Sequence, residues 1–322
     1  MQPGRTIAQR SSVASRVRWR PVAGGFSILL LLALALVVSF HSERTRADAT
    51  VVPLPNGDLL RIGGDGGCRA VGAFTGLCHG HPRATAERYS PATRRWIPAG
   101  RMATPRSSFT ATPLRDGRVL VVGGDTQRDV ESFPVTLAMA ERYDPATNRW
   151  TAVAPMHTAR SYHTATLLAD GRVLVSGGQS PRSHLLADAE VYDPMADRWQ
   201  ATGPLRDGRW RHTATLLASG QVLVAGGDTT RDYHAATTEI YDPATNTWRP
   251  AHDMSVGRSG HTAALLANGQ VLVTGGDGQE GRLTDAEAYD PAADRWRPMR
   301  TGGLTAALRA GNVRYRAIEE TL

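Results

Sequence analysis

A segment of about fifty residues recurs five times in this chain, and no other feature constrains the fold as strongly. HTATLLADGRVLVSGG at 163–178 returns as FTATPLRDGRVLVVGG at 109–124, HTATLLASGQVLVAGG at 212–227 and HTAALLANGQVLVTGG at 261–276. A looser copy, ATVVPLPNGDLLRIGG, occupies 49–64. After each double glycine and a variable stretch comes AERYSPATRRW (86–96), AERYDPATNRW (140–150), AEVYDPMADRW (189–199), TEIYDPATNTW (238–248) or AEAYDPAADRW (286–296). The tryptophans Trp96, Trp150, Trp199, Trp248 and Trp296 step by 54, 49, 49 and 48 residues. No long helical pattern interrupts that period.

Each repeat resolves into four short strands. TATLL and RVLVSG are joined by Asp-Gly or Asn-Gly, the strongest signal for a two-residue hairpin loop. AEVY follows, and a DPAT-type turn leads to the strand around the tryptophan. Strands rich in Val, Leu and Thr suit sheets buried on both faces. Four-stranded sheets repeated around an axis make an all-β propeller, with the tryptophans filling the space between blades.

The double glycine, the Tyr-Asp-Pro and the tryptophan, in this order and spacing, resemble the kelch repeat. The ATLLxDGRVLVxGG wording is most similar to kelch-type propellers of the galactose oxidase central-domain type. The resemblance covers roughly 49–300. It implies a kelch-type β-propeller of four-stranded blades over 49–322, with five full repeats and a partial sixth. GLTAALRAGNVRYRAI, from Gly303, reads as that sixth repeat's first hairpin. Either it closes the ring against the first repeat, or an incomplete ring takes strands from a partner.

Charge does not point to nucleic acid. The net charge is +7, and residues 1–46, with seven Arg and one Glu, hold +6 of it. Val22 to Phe40 is an uncharged stretch of 19 residues behind that basic flank. A positive flank before an apolar helix marks 1–48 as an export signal or a membrane anchor. The propeller is therefore expected outside the cytoplasm, secreted if the segment is cleaved and tethered if it is kept. Cys68 and Cys78 are the only cysteines, and in an oxidising compartment they are expected to pair. That short closure would contribute on the order of 3 kcal/mol. A zinc site with His79 and His81 is the alternative.

Other motifs carry little chemistry. GDGQEG at 276–281 matches a dinucleotide fingerprint, but a strand follows where that fold needs a helix. Asp65, Asp125, Asp228 and Asp277 follow the double glycines, with Gln179 in the third repeat. Single carboxylates on separate blades do not make a calcium cage, so Asx turns are expected there. His163, His212 and His261 recur in phase and read as framework. The galactose oxidase resemblance implies a copper site with Tyr and His ligands, yet only Tyr162, Tyr233 and Tyr315 lie outside the repeat phase. No catalytic, cofactor or metal set emerges.

Binding is expected on the face that carries the long loops and the links between repeats. The links read RSSF (106–109), RSYH (160–163), RWRH (209–212) and RSGH (258–261). In peptide-binding kelch propellers the residues after this Arg line the channel mouth. Carried over, those positions are Ser107, Ser108, Ser161, Tyr162, Trp210, Arg211, Ser259 and Gly260. His184, Tyr233 and His234 join them from neighbouring loops. Tyr162, Trp210 and Arg211 break an otherwise small-residue pattern, as binding anchors do. The function expected is a non-catalytic binding module for a protein or carbohydrate, the alternative an exported carbohydrate-active enzyme.

Overall fold

The hairpin chemistry of each repeat is visible in its turns. The computed structural model describes residues 49–64, 82–127, 134–180 and 184–299, all within one compact unit, Thr45–Leu322. In the second repeat Gly117 N–H donates to the Leu114 carbonyl (3.1 Å), as Gly57 N–H does to Leu54 in the first (3.0 Å), and Leu114 N–H donates to the Arg118 carbonyl (2.7 Å). Only Gly117 of the loop has a positive φ, 85°. The turn is thus a three-residue loop closed by a left-handed glycine, not the two-residue primed turn that Asp-Gly suggests. Asp116 explains the difference, because its carboxylate takes the Arg118 N–H (3.0 Å) and holds the longer loop.

These turns join five four-stranded antiparallel sheets, each a simple meander in chain order. The third repeat is representative: Thr164–Leu167, Val173–Ser176, Ala189–Asp193 and Arg198–Ala201. Its register runs Thr164 opposite Ser176, Ser176 opposite Ala189 and Tyr192 opposite Trp199. The first strands, Thr50–Pro53, Thr110–Pro113, Thr164–Leu167, Thr213–Leu216 and Thr262–Leu265, touch one another in succession. They therefore face the axis of a β-propeller, as expected from the repeats. Cys68, Cys78, the apolar run 22–40 and the tail from Gly303 lie outside the described residues. Among those described, no helix is long and apolar enough to cross a membrane.

The core lies between sheets. Second strands such as Val119–Val122 are buried at every position, and their alternation sends the side chains to opposite neighbours. Val119 and Val121 join Leu60 and Ile62 of the first repeat. Leu120 and Val122 join Val173, Val175 and Trp199 of the third. The tryptophans of the second to fifth repeats also tie their blades to the preceding ones: Trp150 Nε1–H donates to Ala99 O (2.8 Å), Trp199 to Ala154 O (2.7 Å), Trp248 to Thr202 Oγ1 (3.5 Å) and Trp296 to His252 O (2.8 Å).

The tyrosines lock the outer turns. Tyr143, Tyr192, Tyr241 and Tyr289 donate their hydroxyls to Asn148, Asp197, Asn246 and Asp294 at 2.6–2.9 Å. Those four acceptors all have positive φ, a conformation Asn and Asp tolerate better than most residues. GDGQEG forms a two-residue hairpin, Asp277–Gly278 with Gly281–Arg282, and leads into a strand, so it opens no dinucleotide-binding helix.

Candidate functional site

The links between repeats are lashed down by a buried ion pair. Arg106, Arg160, Arg209 and Arg258 are fully buried. Each donates Nη1 to the carbonyl of its repeat's first glycine, at 2.8–3.1 Å. Each Nη2 reaches a carboxylate on the third strand: Glu141, Glu190, Glu239 or Glu287, at 2.7–3.1 Å. The same carboxylates accept link N–H groups, from Ala103, His157, Arg206 and Ser255. In the sequence this Arg marks the start of each link without by itself revealing its partner. Its signal was present, since an Arg in the link and a Glu in AExY recur in phase with opposite charge.

The double glycine lets two links approach. A Cβ on Gly123 would run into the Arg160 carbonyl of the next link, and one on Gly124 into the Ser107 carbonyl of its own. Ser107, Ser161 and Ser259 then form antiparallel bridges with Asp125, Gln179 and Asp277. Arg209–Trp210 pairs with Asp228–Thr229 in the same way. Asp125, Asp228 and Asp277 therefore do not build Asx turns, and Asp65 lies outside the described residues. Asp125 accepts the Thr136 hydroxyl (2.9 Å), Asp228 the His234 N–H (3.0 Å) and Asp277 the Arg211 guanidinium (2.8 Å). Asx contacts sit on the opposite face, at Asp116, Asp144, Asp170 and Asp193 among others. Backbone pairing with the link already fixes the residue after each glycine pair, so its side chain is free to reach sideways.

One residue further on, Ser108, Tyr162, Arg211 and Gly260 share a left-handed backbone, φ 54–59°. Tyr162 N–H donates to Ser108 O (3.0 Å) and Gly260 N–H to Arg211 O (2.8 Å), so successive links bond to each other around the axis. The Arg211 guanidinium lies where a Gly260 side chain would go. Its Nη2 bonds Asp277 and holds that carboxyl below the usual carboxylate range.

The larger side chains gather between the third and fourth repeats. Tyr162 and Trp210 meet edge to face, centroids 5.1 Å apart at 88°. His234 Nδ1 lies 2.9 Å from Ser259 Oγ and 3.2 Å from Asp228 Oδ1. Tyr233 is 82% exposed, with almost its whole ring in solvent. A cavity of about 410 Å³ opens here, walled by Gln179, Leu185, Trp210 and the loop from Asp228 to Tyr233. His184 enters through its backbone, paired with Ser180. Ser107, Ser108 and Ser161 lie on the other arc beside Asp125, whose carboxyl burial pushes up against hydrogen bonds from Thr136 and Ser161.

The recurring histidines face inward, away from this cavity's walls. His163, His212 and His261 share hydrogen bonds with Thr110, Thr164 and Thr213 of the preceding first strands, at 2.8–3.0 Å. Burial and the adjacent Arg160 and Arg258 hold His163 and His261 down at about 3, and burial with Arg209 pulls His212 well below its ordinary value. All three are neutral framework groups at physiological pH. Among the described residues no group of three or more His, Cys, Asp or Glu is placed to hold a metal ion.

Comparison with known proteins agrees with this architecture. The Attractin/LZTR1 beta-propeller model matches residues 142–317, more than half of the chain, and the Kelch motif model matches 106–157. Beta-scruin of Limulus polyphemus is 35% identical over 101 residues, 31% of this chain and 11% of its own length. The F-box/kelch-repeat protein SKIP30 of Arabidopsis thaliana is 31% identical over 121 residues, 37% of this chain and 32% of its own. The chain thus spans under a third of either relative. The solved structure of YjhT superposes with a TM-score of 0.61 at 16% identity, over 80% of this chain and 84% of that one.

Proposed function

The chain belongs to the Attractin/LZTR1 β-propeller family, and from that premise we propose a non-catalytic module that grips a protein segment on its link-and-loop face. One observation carries this reading. Trp210 and Tyr233, large side chains that depart from the repeat pattern, line one cavity between two adjacent repeats, and Tyr162, which departs from it too, packs edge to face on Trp210. Aromatic side chains beside a preformed hollow are the usual anchors of an interface. The rival role for Tyr162 and Trp210 is to fill space between links.

A random peptide-display selection on the immobilised full-length chain separates the two. As anchors, Trp210→Ala and Tyr162→Ala weaken the selected peptides more than about tenfold, the effect of roughly 1.4 kcal/mol, and leave the melting temperature nearly unchanged. As filling, they lower the melting temperature and leave affinity alone, and that result would sink the proposal. The basic flank and apolar run before residue 48 support a location outside the cytoplasm, which protease accessibility on intact cells checks.

A further inference from the structure

The charges around this cavity do not balance, and the imbalance specifies what enters it. Four acids, Asp207, Asp228, Asp232 and Asp277, surround two cations, Arg211 and Arg231. Both cations are already engaged: Arg231 Nε with Asp207 (2.9 Å) and Arg211 Nη2 with Asp277 (2.8 Å). Asp228, with His234 Nδ1 at 3.2 Å and Arg211 Nη1 at 3.8 Å, and Asp232 remain without a hydrogen-bonded arginine, and both line the cavity. Asp228 is 4% exposed, so its charge sits in protein and not in bulk water. Its Oδ1 takes the His234 N–H. Its Oδ2 meets Arg211 Nη1 only at 3.8 Å, beyond hydrogen-bond range. The Asp232 carboxylate makes no hydrogen bond or ion pair among the described residues. A buried carboxylate with an unfilled acceptor is costly until a donor arrives.

The other walls combine apolar and aromatic side chains with Gln179, Thr229, Thr230 and the already paired Arg231. Leu185 and Trp210 line the hollow, and Tyr233 stands exposed at its rim. A volume of about 410 Å³ lies at the lower end of the roughly 300–1,000 Å³ of ligand pockets. That is room for one long side chain of a bound segment, not for a folded element. Two carboxylate acceptors beside an indole match a planar cation that stacks and donates in a fork, which is the guanidinium group.

We propose that the cavity between Trp210 and the loop 228–233 receives an arginine side chain of the bound protein segment, which Asp228 and Asp232 pair with and Trp210 stacks on. The inference rests on the segment-binding function proposed above and adds the chemistry of the anchor.

The test uses a random linear peptide library displayed against the full-length chain, with counterselection on the Trp210→Ala variant. Peptides that depend on Trp210 are expected to share an arginine, and replacing it by Gln should weaken binding at least about tenfold. Asp232→Asn, at an exposed position, and Asp228→Asn, which keeps an acceptor for His234, should weaken the arginine peptide and leave the Gln version unchanged. Melting temperatures confirm that both variants are folded. Trp210-dependent peptides without arginine, or with an arginine indifferent to both Asp→Asn changes, would overturn the guanidinium anchor and leave segment binding standing. A library that yields no Trp210-dependent peptide would overturn both.

Discussion

Tyr162 and Arg211 hold φ at 54°, a left-handed conformation that costs a bulky L-residue roughly 1–2 kcal/mol. Gly260 takes the same conformation in the fifth repeat, so a residue free of that strain fits this position. Strain kept where glycine would relieve it points toward use, and the inference runs in that direction only. The Arg beneath has the opposite character, since its contacts are all framework. Replacing Arg209 by Met leaves Glu239, with a side chain 5% exposed, holding a charge whose guanidinium partner is gone. Breaking such a buried pair costs about 3–5 kcal/mol. Denaturant unfolding should show that loss for Arg209→Met and a smaller one for Arg209→Met with Glu239→Gln, because the double variant removes the stranded charge. Equal stability of Arg209→Met and the parent chain would mean that the links are held by their backbone bridges alone.

At the scale of the element, the turn between third and fourth strands makes its own demand. Its left-handed position is Asn or Asp in four repeats and Arg94 in the first, at φ 54°. Arg94→Asn supplies a residue that visits this conformation at lower cost. A gain of about 0.5–1 kcal/mol is expected, measured as a raised denaturation midpoint at unchanged m-value. A lower midpoint would show that Arg94 makes contacts its conformation does not reveal. Strands and blade order were legible in the sequence because alternation, turn residues and the tryptophan recur at one spacing. Three things were less legible. Asp116 lengthens the hairpin loop through a bond that composition does not encode. Asp125, Asp228 and Asp277 look alike in sequence, and only their neighbours across the links give them different partners. The cavity arises where Leu185, Trp210 and Tyr233, from three separate segments, converge, and no local pattern registers that.

Across the whole propeller the three inward histidines act together. Each joins a first strand to the next, and each imidazole is excluded from water. Their ordinary value is 6.5, and His163 and His261 are held at about 3 in the fold. The unfolded chain therefore takes up protons between these values that the folded chain refuses. Stability rises with pH wherever the unfolded state binds more protons, so it falls as pH drops below 6.5 and the loss levels off near 3. Each histidine contributes at most about 1.4 kcal/mol per pH unit inside that window. Carboxylates such as Asp116 and Asp170, whose values their Arg partners lower, add their own loss only once pH falls through the carboxylate range. Asp125, whose value burial raises, contributes with the opposite sign, so the imidazole share between pH 7 and 5 is read from the difference between the parent chain and the histidine variants. The second repeat places Phe109, 7% exposed, where the third, fourth and fifth have histidine, so the fold already accepts a phenyl ring there. His212→Phe should flatten the stability profile between pH 7 and 5 by about one proton's share, and His163→Phe with His212→Phe by about two. An unchanged slope in both variants would mean that these imidazoles protonate inside the folded propeller and that their burial does not govern its response to acid.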